Sequence, residues 1–154
     1  MEEYKIEPWP STYQMGESLK PSKLIPNVSG RTVGAFRSTI PPLTIEPPQI
    51  HLIANRDNQP FQEIITAQDR KLIVAYFDIN TMSYNTLEYS PNQDLLIPAF
   101  KIHWLINPNK EPLSFVCEYA PHPWDGDNDE PEFPNLSTLL KFVEKNGLIE
   151  KLRG

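Results

Sequence analysis

The sequence predicts a mainly β fold, an antiparallel barrel or sandwich of short strands, and three observations carry that prediction. Seventeen prolines in 154 residues remove backbone donors and are excluded from helix interiors and central strands, so the elements must be short and separated by turns. Apolar and β-branched runs recur at close spacing with Gly, Pro, Asn and Asp between them. A helical repeat of apolar residues occurs only near the end of the chain.

Residues 1–30 contain Pro8, Pro10, Pro21 and Pro26 and no sustained periodicity. They read as an irregular arm, packed across the domain or onto a neighbouring subunit. Residues 31–134 form the barrel. Its strand-like runs are 33–40, 49–54, 62–66 and 71–78, with Asp69-Arg70 as a hairpin turn between the last two. The series continues with 86–89, 94–97, 102–106 and 113–119, and Asn107-Pro108-Asn109-Lys110 makes another turn. In 135–154, Leu136, Leu139, Leu140 and Val143 follow the i, i+3, i+4, i+7 repeat of a helix with one apolar face, expected on the outside of the barrel. Asn135 or Ser137 can cap its start, and Asn146-Gly147 supplies a left-handed stop.

A net charge of −6 disfavours nonspecific binding to nucleic acid or anionic membrane, leaving small molecules and proteins as the expected partners. The single cysteine, Cys117, cannot form an intramolecular disulfide, and its neighbours Phe115, Val116 and Tyr119 suggest a buried strand position. No apolar run approaches the ~18 residues of a membrane span, so a soluble, cytoplasmic protein is expected. No P-loop, dinucleotide fingerprint, nucleophile elbow or zinc knuckle is present. Asp125, Asp127 and Asp129 alternate as in a calcium loop, but the EF-hand glycine and terminal glutamate are missing, and a solvated acidic loop is the reading.

The segment from Asn92 to Asn107 resembles the second motif of the cupin superfamily. Pro98, Phe100, His103 and Asn107 occupy the places of the motif's proline, glycine, histidine and asparagine, and Asn92 stands where its leading glycine would be. Asparagine tolerates the left-handed conformation that glycine supplies; Phe100 for glycine is the larger departure. The first cupin motif is poorer: with its glutamate on Glu63, Asp57 and Gln59 stand where two histidines belong. The resemblance implies an antiparallel jelly-roll barrel.

Within the cupins, residues 31–134 look most like the thymidine-diphospho-keto-sugar epimerases and isomerases. The similarity runs through Glu63 to Asp78, through Leu95-Leu96-Ile97-Pro98 followed by His103, and through Cys117-Glu118-Tyr119-Ala120-Pro121 with Trp124-Asp125. That resemblance implies His51 as the base beside a sugar keto group, with Asp125 or Asp127 orienting it. An imidazole of pKa near ~6.5 suits this task. The family's lysine corresponds to Glu63 and its acid tyrosine falls near Phe115, so the complete epimerase mechanism is not expected. An isomerisation, dehydration or cyclisation driven by His51 remains.

Three functions follow. The first is a metal-independent enzyme acting on a polar carbonyl-containing or sugar-like metabolite, with His51, Glu63 and Asp125 catalytic and His103, Arg37, Tyr76, Phe115 and Tyr119 around the pocket. It needs no cofactor. The second is a metal-dependent dioxygenase, lyase or isomerase holding one divalent ion on His51, Glu63 and His103. The third is a noncatalytic barrel that binds a ligand or scaffolds a partner. Without the motif, His51 and His103 read equally as hydrogen-bonded core histidines, and Trp104 and Trp124 as packing residues. The resemblance also implies a homodimer, with residues 1–30 as an exchanged arm.

Overall fold

The computed structural model describes residues 5–6, 17–18, 34–50, 62–98, 100–120, 133 and 135–153. Their strands are β1 (Lys5–Ile6), β2 (Glu17–Ser18), β3 (Gly34–Ile40), β4 (Thr44–Ile45), β5 (Gln62–Ala67), β6 (Leu72–Asp78), β7 (Ser83–Tyr89), β8 (Asp94–Pro98), β9 (His103–Asn107) and β10 (Leu113–Ala120). Two helices follow, α1 (Leu136–Lys145) and α2 (Ile149–Arg153). No helix among the described residues is long and apolar enough to cross a membrane.

The strands form two five-stranded sheets, in the orders β1-β4-β9-β6-β7 and β2-β3-β10-β5-β8. All pairings are antiparallel except β1 with β4. The short strands of the N-terminal arm close one edge of each sheet: β1 lies on β4 and β2 on β3. From β5 onward the chain alternates between sheets, and only β6 and β7 pair as consecutive neighbours.

That alternation corrects the expected hairpin at Asp69-Arg70. β5 pairs with β10 and β8, whereas β6 pairs with β9 and β7. The bend is tied to the start of β10: Gln68 N–H donates to Ser114 O, the Ser114 N–H to Asp69 Oδ1, and Arg70 Nη1 to Pro112 O. The chain then leaves for the opposite sheet. β8 and β9, read from the motif as a strand pair, are likewise parted between the two sheets. The hairpin turn lies instead between β6 and β7, where Met82 takes a φ of 53°.

Side chains alternate across each strand, and the inward set makes one core between the sheets. It includes Phe36, Ile40, Ile65, Ala67, Leu72, Val74, Leu95, Ile97, Leu105, Leu113, Phe115 and Cys117, all buried. A second cluster covers the outer face of β6 and β9: Phe77, Ile102 and Trp104 pack with Phe133, Leu139 and Val143. The helix therefore lies outside the barrel, as its single apolar face predicts.

Its ends match the sequence reading. Asn135 Oδ1 accepts from the Thr138 N–H at 2.9 Å. Gly147, at φ 66°, closes a Schellman turn in which its own N–H donates to Glu144 O and the Leu148 N–H to Val143 O. Asn92 has φ 68° and Phe100 φ 60°. Both thus take the left-handed conformation for which the motif uses glycine. For Phe100 this costs ~1–2 kcal/mol of backbone strain that glycine would not carry.

Candidate functional site

His103 and Glu63 come from opposite sheets and meet inside the barrel. On β9, His103 shares the inward face with Leu105 and stands opposite Tyr76 of β6. On β5, Glu63 shares the inward face with Ile65 and stands opposite Ile97 and Tyr119. His103 is 0% exposed and Glu63 7%. His103 Nε2 lies 3.9 Å from Glu63 Oε1, outside hydrogen-bond range but within that of an ion pair if the ring is protonated.

The imidazole is held from its other side. Nδ1 lies 2.9 Å from Lys101 O, and since a carbonyl can only accept, Nδ1 carries the proton. In the neutral ring the lone pair is then on Nε2, on the Glu63 side. Cys117 Sγ donates to Glu63 Oε2 at 3.3 Å, so one carboxylate oxygen faces a thiol and the other the imidazole.

Burial, with the Glu63 charge second, pushes the Cys117 thiol well above its ordinary value. Tyr76 is raised too, first by burial, then by the neighbouring Tyr89 and then by Glu63. Both groups stay protonated donors near neutrality. Lys101 Nζ sits 5.3 Å from the centroid of the Tyr76 ring.

These shifts set an alkaline limit. Folding raises both values, so it favours the protonated forms. The stabilisation is complete below the ordinary thiol value of 9.0 and is lost as pH rises beyond it, Tyr76 adding its share above 10.0. Through these two groups the melting temperature is expected to be unaffected below pH 9.0 and to fall above it. In Cys117→Ala the fall should begin nearer 10.0; thermal melts across that range check it.

Other expected site residues fall differently. Phe115 is fully buried, edge-to-face on Phe36 at 6.2 Å and 73°, and packs in the core between the sheets. Arg37 stands opposite Val116, on the face away from the core, and its Nε donates to Gln68 Oε1 at 3.0 Å. Its expected place at the pocket is therefore corrected: Phe36 and Ile40 take the inward positions of β3. Tyr119 is opposite Glu63 in register, and its side chain lies outside the described residues. So do His51 and Asp125.

Two inward polar residues escaped the sequence reading. Gln49 and His103 exchange both backbone hydrogen bonds, at 2.8 and 3.0 Å, so their side chains share the inward face. The Glu46 N–H donates to Leu105 O, which puts Glu46 on that face as well. The step from Glu46 to Gln49 is one residue longer than the step from Leu105 to His103. Pro47-Pro48 is therefore a bulge. Glu46 is 5% and Gln49 8% exposed. A bulge breaks the period of two, and that hid them.

Asn107, the last residue of the motif, has a structural task. Its Nδ2 donates to Ile40 O, Pro41 O and Glu111 O at 3.0, 3.0 and 2.9 Å, and its Oδ1 accepts from the Asn109 N–H. It ties β9 to the end of β3 and to the approach to β10.

No protein-family model and no curated protein matches the chain. Solved structures do match. The capsular polysaccharide assembling protein CapF of Staphylococcus aureus superposes with a TM-score of 0.54 at 11% identity, over 68% of this chain and 27% of that one. The oxalate decarboxylase of Lactobacillus farciminis gives 0.50 at 17%, over 80% of this chain and 32% of that one. This chain thus spans about a quarter to a third of those two proteins. An uncharacterized double-stranded β-helix protein of Klebsiella pneumoniae gives 0.50 at 14%, over 77% of this chain and 86% of that one. At such identities the likeness is one of fold, and it does not single out the sugar-epimerase branch. With its two facing antiparallel sheets, the chain has the cupin-type double-stranded β-helix fold.

Proposed function

We propose that this protein is a barrel enzyme that moves a proton on a small polar carbonyl compound, sugar-like ketones included, with Glu63 and His103 as its working pair. The 3.9 Å approach of two buried side chains from opposite sheets carries the reading. The Lys101 carbonyl fixes the ring tautomer, so Nε2 is the basic atom, and Glu63 stabilises the imidazolium formed when it takes a proton. Tyr76, opposite His103, is the candidate hydroxyl for the carbonyl oxygen. His51 and Asp125 extend the proposal as a further base and its orienting carboxylate. The oxalate decarboxylase that shares the fold supports an enzyme rather than a passive barrel.

The same 3.9 Å distance favours a second reading, a divalent metal on His51, Glu63 and His103. Two ligands at about 2.1 Å each span at most about 4.2 Å, so this pair can share an ion. Among the described residues no third His, Cys, Asp or Glu completes a metal-holding group, and His51 has to supply it. Such an ion would serve as a Lewis acid for the carbonyl.

Proton abstraction next to a carbonyl leaves a mark in D2O. Proton NMR on a panel of small keto sugars and keto acids is expected to show deuterium entering at least one compound. Glu63→Gln and His103→Asn, with folding verified by circular dichroism, should each slow it at least tenfold, about 1.4 kcal/mol of transition-state stabilisation. Unchanged exchange in both variants, or none with any compound, overturns the proposal. One equivalent of a single metal in untagged protein, lost in both variants, replaces it with the second reading.

A further inference from the structure

We infer that β7 is a docking edge for a second copy of this chain, and that the two copies join through antiparallel β7 strands around a two-fold axis. Among the described residues the two sheets have four edges; two are covered by the arm strands β1 and β2, and β7 and β8 are the others. β8 is blunted: it has five residues, begins with Asp94 and ends at Pro98. β7 has seven residues, no proline, no lysine and a single charge, Glu88. A strand of this length without proline or lysine presents a row of backbone groups ready to pair with another chain. Its apolar side chains are exposed on both faces, with Tyr84 63% and Leu87 50% accessible, beside Met82 at 63%.

The occupant follows from the backbone. The Phe77 N–H donates to Ile102 O, so along β6 the odd residues bond towards β9 and the even ones towards β7. In register, Tyr76, Val74 and Leu72 pair with Asn85, Leu87 and Tyr89. The backbone groups of Tyr84, Thr86 and Glu88 therefore point outwards. A two-fold axis at Thr86 satisfies all of them: Thr86 faces the partner's Thr86, and Tyr84 faces the partner's Glu88. No like charges are opposed, because the only charge on each strand meets a phenol that can donate to it. Centring on Asn85 or Leu87 would leave one of the three outward residues unpaired. The partner is thus a second copy, in an isologous contact that closes on itself.

Cross-linking and sedimentation test this. Cys117 is fully buried, so a cysteine introduced on the edge is the reactive one. Thr86→Cys is expected to give a covalent dimer on mild oxidation, and Asn80→Cys, on the neighbouring turn, to form no covalent cross-link. The wild type should sediment as a dimer at micromolar concentration. Thr86→Pro, tolerated on an edge because the lost N–H points outwards, should raise the dimer dissociation constant at least tenfold. Leu87→Lys should do the same and decides the matter if the proline variant does not fold. A monomeric wild type, a dimer untouched by Leu87→Lys, or equal cross-linking at positions 80 and 86 overturns the inference.

Discussion

Phe115→Ala is expected to lower the stability of the barrel by about 4 kcal/mol, measured by urea unfolding at neutral pH. Phe115 is 0% exposed and its ring meets the face or edge of Phe36. Its cross-strand neighbours are Ser38 of β3 and Ala67 of β5, both too short to lean into the space left by the ring. The cavity therefore persists, and its cost adds to the lost transfer energy. Phe115→Leu keeps most of the volume and should cost under about 1.5 kcal/mol. A loss below about 1 kcal/mol in the alanine variant would mean that the ring does not fill closed core space.

How much of this was legible in the sequence depends on how far apart the interacting residues are. Local signals were read well: the strands from β5 to β10 lie close to their expected ranges, and both caps of α1 fall on the expected residues. The left-handed Asn92 was legible as well, because its side chain is one of the few that tolerates that backbone. What failed was pairing. Asp69-Arg70 has the composition of a hairpin turn, yet a chain crossing between sheets uses the same residues, and only the bonds to β10 distinguish them. The inward face of β3 was equally obscure, since Ala35-Phe36-Arg37-Ser38 shows no clean alternation of apolar and polar residues. Glu63 and His103 were each named from the motif resemblance. That they meet follows from the crossing topology, which places β5 and β9 in facing sheets.

Asn107 offers the sharpest test of the separation between scaffold and site, because it shares a motif with His103 but binds only backbone and its neighbour Asn109. Asn107→Ala strips a donor from the carbonyls of Ile40, Pro41 and Glu111 and an acceptor from the Asn109 N–H. A buried group left unsatisfied costs ~1–3 kcal/mol. Water can reach the half-buried Asn109 and the exposed Glu111, so about 3 kcal/mol in total is expected rather than the full sum. Asn107→Asp has the same shape and separates packing from hydrogen bonding. Its carboxylate would face three carbonyl oxygens with no hydrogen to offer, so folding favours its protonated form and raises its pKa. The stability of this variant should then rise as pH falls towards the carboxylate range, because the folded state binds the proton more tightly than the unfolded one. Thermal melts of Asn107→Asp and wild type between pH ~4 and ~7 measure that difference. A parallel pH dependence in the two proteins would mean that the Asn107 amide is not what holds β9 to the end of β3.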